Sequence, residues 1–270
     1  MQYPDLTLMV CSFNTPQHVI TLLRSFVHTH SDGPFNLIVC ENSTNNETRQ
    51  LLEENDIRYI DNPGGTHSKS VDKLLDSCQT QYALLVDSDI VFLQPIDKIL
   101  ETMKANKATL LGEIQADRGG YRLYPRVAPW FCFIDVNNVK EKKITFHDQV
   151  RIDRTNSKYF YQTVPLNPHI NNTNPFYDVG ATFYEDINKA KLKILDAKGI
   201  RKYFSHYEGG SWRRTSGNEG YMNLGKSVYE RFLNETKSLN DIKIKGKFIT
   251  DIKPIVSPAA SIITGETHAL

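Results

Sequence analysis

Residues 82–95 read YALLVDSDIVFLQP. Ala83 to Val86 form an apolar run too short for a helix and suited to a buried parallel strand. The run ends on Asp87-Ser88-Asp89, a second apolar run covers Ile90 to Leu93, and Pro95 opens a new element. Two carboxylates one residue apart at the mouth of an apolar strand need a cationic partner. Burying them unpaired costs several kcal/mol or forces one to take up a proton. A divalent ion that bridges to phosphate oxygens is the usual partner, because Mg²⁺ takes one or two carboxylates and fills its shell with water and phosphate. The competing reading is a solvated turn whose aspartates cap the next helix.

The chain upstream separates these readings. Leu6 to Cys11 reads as a first strand, and Thr15-Pro16 as a helix start with a hydroxyl N-cap and proline at N1. Val19, Leu22, Leu23, Phe26 and Val27 share one face of that helix, which Ser31-Asp32-Gly33-Pro34 ends. A second strand, Asn36 to Cys40, runs into Glu41-Asn42-Ser43-Thr44, and a helix carrying Leu51 and Leu52 follows. Ile57 to Ile60 is a third strand, Asp61 to Gly65 a turn, and Val71, Leu74, Leu75 and Cys78 the stripe of the next helix. An Asp-x-Asp after an apolar strand also resembles the phosphatases of the haloacid dehalogenase type. There the strand comes early, whereas here three strands and three helices precede it.

Strands and helices alternating at this pace predict right-handed βαβ units and a mostly parallel, Rossmann-like sheet flanked by helices. Ligands in such sheets bind beyond the carboxyl ends of the strands. The polar clusters fall there: Phe13-Asn14, Glu41-Asn42, Gly64 to Lys69, and Asp87 to Asp89.

Composition sets the outer bounds. Over 270 residues, 40% are hydrophobic and 23% charged, as in ordinary globular proteins, and the net charge of +1 gives no bulk attraction for nucleic acid. No apolar run reaches the ~20 residues of a membrane span, and the N-terminus lacks a signal-peptide pattern. Cys11, Cys40, Cys78 and Cys132 sit in apolar segments without CxxC spacing, reading as reduced, buried residues of a cytoplasmic protein.

The opening LMVCSFNTP, the strand LIVCENST, the loop NPGGTHSKSVDKLL and the strand LLVDSDIVF together resemble a nucleotide-sugar-dependent glycosyltransferase of the GT-A fold, close to family 2. One departure is Glu41, where the family usually has Asp. No Walker A motif or GxGxxG supports ATP or NAD. The resemblance implies a single domain, with residues 1–95 as a nucleotide-binding half, 96–240 as an acceptor-binding half and 241–270 as a C-terminal tail. It implies Mn²⁺ or Mg²⁺ as cofactor and a UDP- or GDP-sugar as donor. The acceptor is a glycan, a lipid-linked sugar or a small hydroxyl compound. Asp89 then ligates the metal, and Asp87 reaches the ribose or the metal. Phe13, Asn14, Glu41 and Ser88 border the nucleotide, Gly64 and Gly65 let the backbone approach it, and Lys69 offsets diphosphate charge. For Lys69 a solvated helix position is the alternative, and His67 reads as a loop histidine.

In the second half, Thr109 to Ile114 and Trp130 to Ile134 read as strands, and Gln115 to Pro129 as a loop whose Arg118, Tyr121, Arg122, Tyr124 and Arg126 suit a sugar acceptor or an anionic carrier, a flexible surface loop being the alternative. Val179, Phe183, Ile187, Ala190 and Ile194 predict one long helix with Asp178 at its N-terminus. In inverting enzymes of the resembled fold a carboxylate there takes the acceptor hydroxyl proton; an N-cap is the alternative. Ile200 to Phe204 is expected as a last sheet-edge strand delivering His206, a third metal ligand by the same resemblance. Trp212 and Arg213, after two glycines, suit a lid over the diphosphate. Tyr221 to Ser238 reads as an amphipathic helix with Leu224, Val228 and Phe232 inward. The resemblance implies inverting transfer in glycan or polysaccharide synthesis. A retaining transferase, a nucleotidyltransferase and a non-catalytic sugar-nucleotide-binding protein remain alternatives at this stage.

Overall fold

A computed structural model describes residues 3–30, 33–116, 124–154, 177–208 and 219–251. Its centre is β1 (Leu6–Ser12), seven residues all buried, which pairs in parallel with β2 (Phe35–Glu41) on one side and β4 (Tyr82–Asp87) on the other. Burial on both faces is why these strands read as continuous apolar runs rather than as alternating ones. Leu8, Val10, Leu37, Val39, Leu84 and Val86 face one core, shared with Val19, Leu22, Leu23 and Phe26 of α1 (Pro16–Thr29). Their neighbours Met9, Cys11, Ile38, Cys40, Ala83 and Leu85 face the other, packed on Val71, Leu74 and Leu75 of α3 (His67–Ser77). Between them α2 (Glu47–Glu54) and the short β3 (Tyr59–Asp61) complete the βαβ units. The four cysteines are free and buried.

The strand order is β10 (Phe248–Ile249), β2, β1, β4, β7 (Arg126–Asp135), β6 (Leu110–Gln115) and β8 (Ile194–Asp196), with β3 also paired to β2. After β4 come β5 (Ile90–Phe92), α4 (Asp97–Ala105), β6 (Leu110–Gln115) and β7 (Arg126–Asp135). β7 is antiparallel to both β4 and β6, and the pairing of β7 with β6 shifts register between Gly112 and Ile114. A reversed strand puts its start, not its end, at the carboxyl edge of its neighbours. β4 pairs with β7 only as far as Val86 opposite Phe131, so Arg126 to Trp130 run on past the end of β4, beside the Asp87-Ser88-Asp89 turn. The expected loop Gln115 to Pro129 is therefore strand from Arg126 onward; residues 117–123 lie outside the described ones.

Then follow α5 (Val136–Glu141), α6 (Gln149–Arg154), α7 (Ala181–Lys189), β8 (Ile194–Asp196), β9 (Phe204–His206), α8 (Glu219–Glu235) and β10 (Phe248–Ile249). Three expectations change here. The long helix from Val179 to Ile194 stops at Lys189, and Ile194 pairs with Leu110 in the sheet. Its N-cap is Gly180, at φ 87°, so Asp178 stands two residues before the cap and its side chain does not cap the helix. The run Ile200 to Phe204 is mostly a 3-10 turn (Ile200–Tyr203), and β9 joins β5 in a separate antiparallel pair instead of edging the main sheet. In addition, β10 pairs with β2, so the stretch expected as a tail contributes an edge strand at that point. On α8, Phe232 is buried against Val91 and Tyr207, while Leu224 is exposed. No helix among the described residues is long and apolar enough to cross a membrane.

Candidate active site

The parallel register sets the floor of the site. Cys11 lies opposite both Cys40 and Asp87, and Ser12 opposite Glu41, so three strands end side by side. Above them opens a cavity of about 470 Å³, reached by Phe13, Asn42, Asp87, Ser88 and Asp89 from these ends and by Gly65 from the loop after β3. Arg126 and Trp130 of β7, Asp178, His206 and Glu208 close its other walls.

Ser88 anchors the acidic turn. Its hydroxyl lies 2.8 Å from Thr15 Oγ1, which is in turn 3.3 Å from Ser12 Oγ. Thr15 is the N-cap residue of α1, as expected, but its side chain makes no cap bond because it is used across the sheet edge. The β5–β9 pair delivers the histidine: Ile90 faces His206, and the Tyr207 amide donates to the Asp89 carbonyl at 3.0 Å. One ligand atom each from Asp87, Asp89 and His206 then lie within 4.8 Å of one another. His206 Nε2 is 3.2 Å from Asp89 Oδ1, but no hydrogen bond is formed, leaving that buried oxygen without a donor. Two carboxylates and an imidazole, with a buried oxygen lacking a donor, fit a divalent cation.

Electrostatics support the cluster. Burial opposes ionisation of Asp87, but the charge and hydrogen bond of His67, with His206 and Arg126, more than offset it and hold its pKa below the ordinary value. At Asp89 burial prevails, helped by the neighbouring Asp87 charge, and the pKa is raised. Burial likewise works against protonating His67 and His206, yet Asp87 beside the first and Asp89 beside the second raise both.

On the opposite wall, Asp178 Oδ2 pairs with Arg126 Nη1 at 2.5 Å, and Oδ1 accepts the Val179 amide at 2.8 Å. Arg126 is only 6% exposed and also donates to Gln115 Oε1 at 2.9 Å, so it holds Asp178 from a fixed base.

Of the residues singled out from sequence, Phe13, Gly65, Asp87, Ser88, Asp89, Asp178 and His206 meet at this cavity. Gly65 is required by close approach: a Cβ there falls 1.8 Å from Asn62 Nδ2 and 3.0 Å from Asn42 Oδ1. Gly64 adopts φ 69° in open space, where its freedom serves the turn. Three others stand apart. Glu41 is fully buried, and its Oε1 accepts the Ser43 amide at 2.6 Å, which bends the strand end beneath the cavity. Asn14, at φ 51°, ties its amide to Ser43 Oγ at 2.7 Å outside the cavity wall. Lys69 is exposed on α3 and does not line the cavity. Trp212 and Arg213 lie outside the described residues.

Two residues were missed. His67, read as a loop histidine, is the first residue of α3 and puts Nε2 2.8 Å from Asp87 Oδ1. Arg126, expected in a loop, heads β7. The signal was there: RVAPWFCFID is a buried strand headed by an arginine, and a buried arginine needs a carboxylate.

A mostly parallel sheet with an Asp-x-Asp at a strand end beneath an open cavity is the arrangement of the GT-A fold. The chain belongs to glycosyl transferase family 2, whose model matches residues 7–163. That match spans the Asp-x-Asp and Arg126 and ends before Asp178 and His206. No curated protein sequence matches the chain. Among solved structures, residues 1–349 of S. aureus TarS align at 13% identity with a TM-score of 0.50, covering 87% of this chain and 72% of that one. With UDP-GlcNAc bound, the same protein aligns at 16% identity and a TM-score of 0.42 over 53% of this chain, which spans about half (48%) of that structure. The mannosyltransferase PcManGT from Pyrobaculum calidifontis, solved with GDP-Man and Mn²⁺, aligns at 8% identity and a TM-score of 0.47, covering 87% and 78%.

Proposed function

We propose that the chain transfers a sugar from a nucleoside diphosphate sugar, UDP- or GDP-linked, to an acceptor hydroxyl with inversion, in glycan or polysaccharide synthesis. The observation that carries this reading is the two-walled cavity. A cation-type trio, Asp87, Asp89 and His206, lines one side and the Arg126-held carboxylate of Asp178 the other. Asp87, Asp89 and His206 would hold Mn²⁺ or Mg²⁺. When bound, the ion supplies positive charge to the diphosphate leaving group.

The protein's own groups do the rest. Phe13, 39% exposed at the cavity rim, offers a ring face to the nucleobase. Gly65 keeps the wall low where the donor backbone passes. His67 fixes Asp87 through Oδ1, and Ser88 and Thr15 fix the turn between the two carboxylates. Asp178 accepts the proton of the attacking hydroxyl on a carboxylate oxygen, while Arg126 and the Val179 amide keep that carboxylate in place. The four free cysteines fit a reducing compartment, so the proposed location is the cytoplasm.

The test is a panel of UDP- and GDP-sugars incubated with Mn²⁺ or with EDTA. Donor turnover with Mn²⁺ and none in EDTA is expected; full turnover in EDTA refutes the metal role. NMR of the product anomer decides the stereochemistry, and a retained configuration removes Asp178 from the base role.

A further inference from the structure

A second chamber, of about 350 Å³, lies beyond the donor cavity, and His67, Asp178 and Val179 line both. Resting on the reading of Asp178 as the base, we infer that this chamber receives the acceptor, and that the acceptor enters it as an uncharged sugar ring. The proposed base stands at the junction of the two spaces, where a hydroxyl from one side meets the donor carbon from the other.

The chamber is built, not incidental. Asp72 of α3 accepts the amides of Phe146 at 2.6 Å and His147 at 3.0 Å. From the other side Thr182 Oγ1 donates to the Phe146 carbonyl at 3.0 Å. The segment 146–147 is thereby clamped between α3 and α7. One side of the chamber is apolar: the rings of Phe146, stacked on Phe183 at 4.1 Å, and of Tyr177, stacked on Tyr124 at 4.1 Å, with Ile152. The other side is a short polar chain, in which Ser68 Oγ lies 2.8 Å from His147 Nδ1 and His147 Nε2 lies 3.1 Å from Gln149 Oε1. A pyranose has the matching halves, C–H faces for aromatic rings and hydroxyls for imidazole and amide groups.

Charge argues against an anionic acceptor. Among the described residues lining the chamber there is no lysine or arginine, and there is one carboxylate, Asp178. The nearby Arg151 is committed to Asp148, Glu185 and Asp186 at 2.7, 2.8 and 2.5 Å. Among the described residues the nearby cationic groups are already paired, Arg126 with Asp178 and His67 with Asp87, so a phosphate or carboxylate placed here must compete with those carboxylates, whereas a neutral ring leaves both pairs intact.

The experiment is saturation-transfer NMR on the full chain, with and without UDP and Mn²⁺. The probes are the methyl glycosides of glucose, galactose and N-acetylglucosamine, with glycerol 3-phosphate and glucuronate as anionic comparators. At least one neutral glycoside is expected to bind, and Gln149→Ala and His147→Ala to weaken it by about 3- to 10-fold, the loss of one hydrogen bond. Lys69→Ala, at an exposed position of α3 outside both cavities, should leave that binding in place. No neutral binder, preference for the anionic probes, or indifference to both chamber variants each overturns the inference. Calorimetry of UDP with Mn²⁺ separates it from the donor reading. UDP binding without any glycoside binding refutes the chamber alone, and chamber-sensitive glycoside binding without UDP binding refutes the donor site alone.

Discussion

Asp178→Asn separates the chemistry of the second wall from its architecture. The amide has nearly the same shape, and its oxygen can still accept the Val179 amide now held at 2.8 Å. It cannot take a proton, so turnover should fall by roughly 10²–10⁴, the range for losing a general base. The structure adds a second consequence. Asp178 Oδ2 is the 2.5 Å partner of Arg126, whose side chain is 7% exposed. In the variant an NH₂ group faces that guanidinium, donor against donor, and a buried charge loses its counter-ion. Arg126 keeps Gln115 and the Val179 carbonyl as acceptors, but a buried charge left without its counter-ion should still cost about 3–5 kcal/mol. Steady-state kinetics with the best donor of the panel, and urea denaturation of both proteins, measure the two effects. Arg126→Met provides the control: it removes the pairing while leaving the carboxylate, and should cost more stability than it costs turnover. If Asp178→Asn retains its turnover within about threefold while losing that stability, Asp178 is only the partner of Arg126 and another group is the base.

Asp89→Ala should abolish Mn²⁺ binding measured by paramagnetic resonance. His67→Ala, which removes the 2.8 Å partner of Asp87, should weaken that binding by about 10- to 100-fold, as loss of a ligand's supporting bond does; unchanged affinity in both variants refutes the site. Gly65→Ala places a methyl 1.8 Å from Asn62 Nδ2, which now donates to Asn42 and Ser70. The repacking should cost about 1–3 kcal/mol in thermal or urea melts, and a neutral effect refutes the close-approach argument. Burial pushes the Asp72 pKa up from 3.8 to about 6, against the two amides that donate to it, a difference worth roughly 3 kcal/mol. The folded state then binds the proton more tightly than the unfolded one. That contribution is therefore complete below the ordinary value and is lost as pH rises through about 6. Relative to Asp72→Asn, the wild type should lose stability as pH rises from about 3.8 to about 6, and a constant difference across that window refutes it.

The parallel half of the fold was legible because its signals are local. Leu6 to Cys11, Asn36 to Cys40 and Tyr82 to Val86 each carry a buried strand in their own letters, and the helix stripes between them dictate parallel pairing. Once pairing is parallel, every polar strand end falls on one edge, which is why Phe13, Gly65, Asp87, Ser88 and Asp89 could be named together. Asp178 was placed by a helix pattern that ran too far, through Ile194, because Ile194 has the same spacing whether it ends a helix or begins β8.

The sequence by itself determined the βαβ order and the acidic strand end, since each rests on spacing within a few residues, whereas His206 was expected at the metal only through the family resemblance. Only the tertiary structure decided which distant groups complete the site. β7 runs against β4, so Arg126 at its start, rather than its end, reaches Asp178. β9 leaves the main sheet to pair with β5, which is what carries His206 to Asp89. The first turn of α3 turns His67 onto Asp87. Periodicity encodes how a segment faces its core, but the direction and register of strands far apart in the chain are set by packing, and no single segment contains that information.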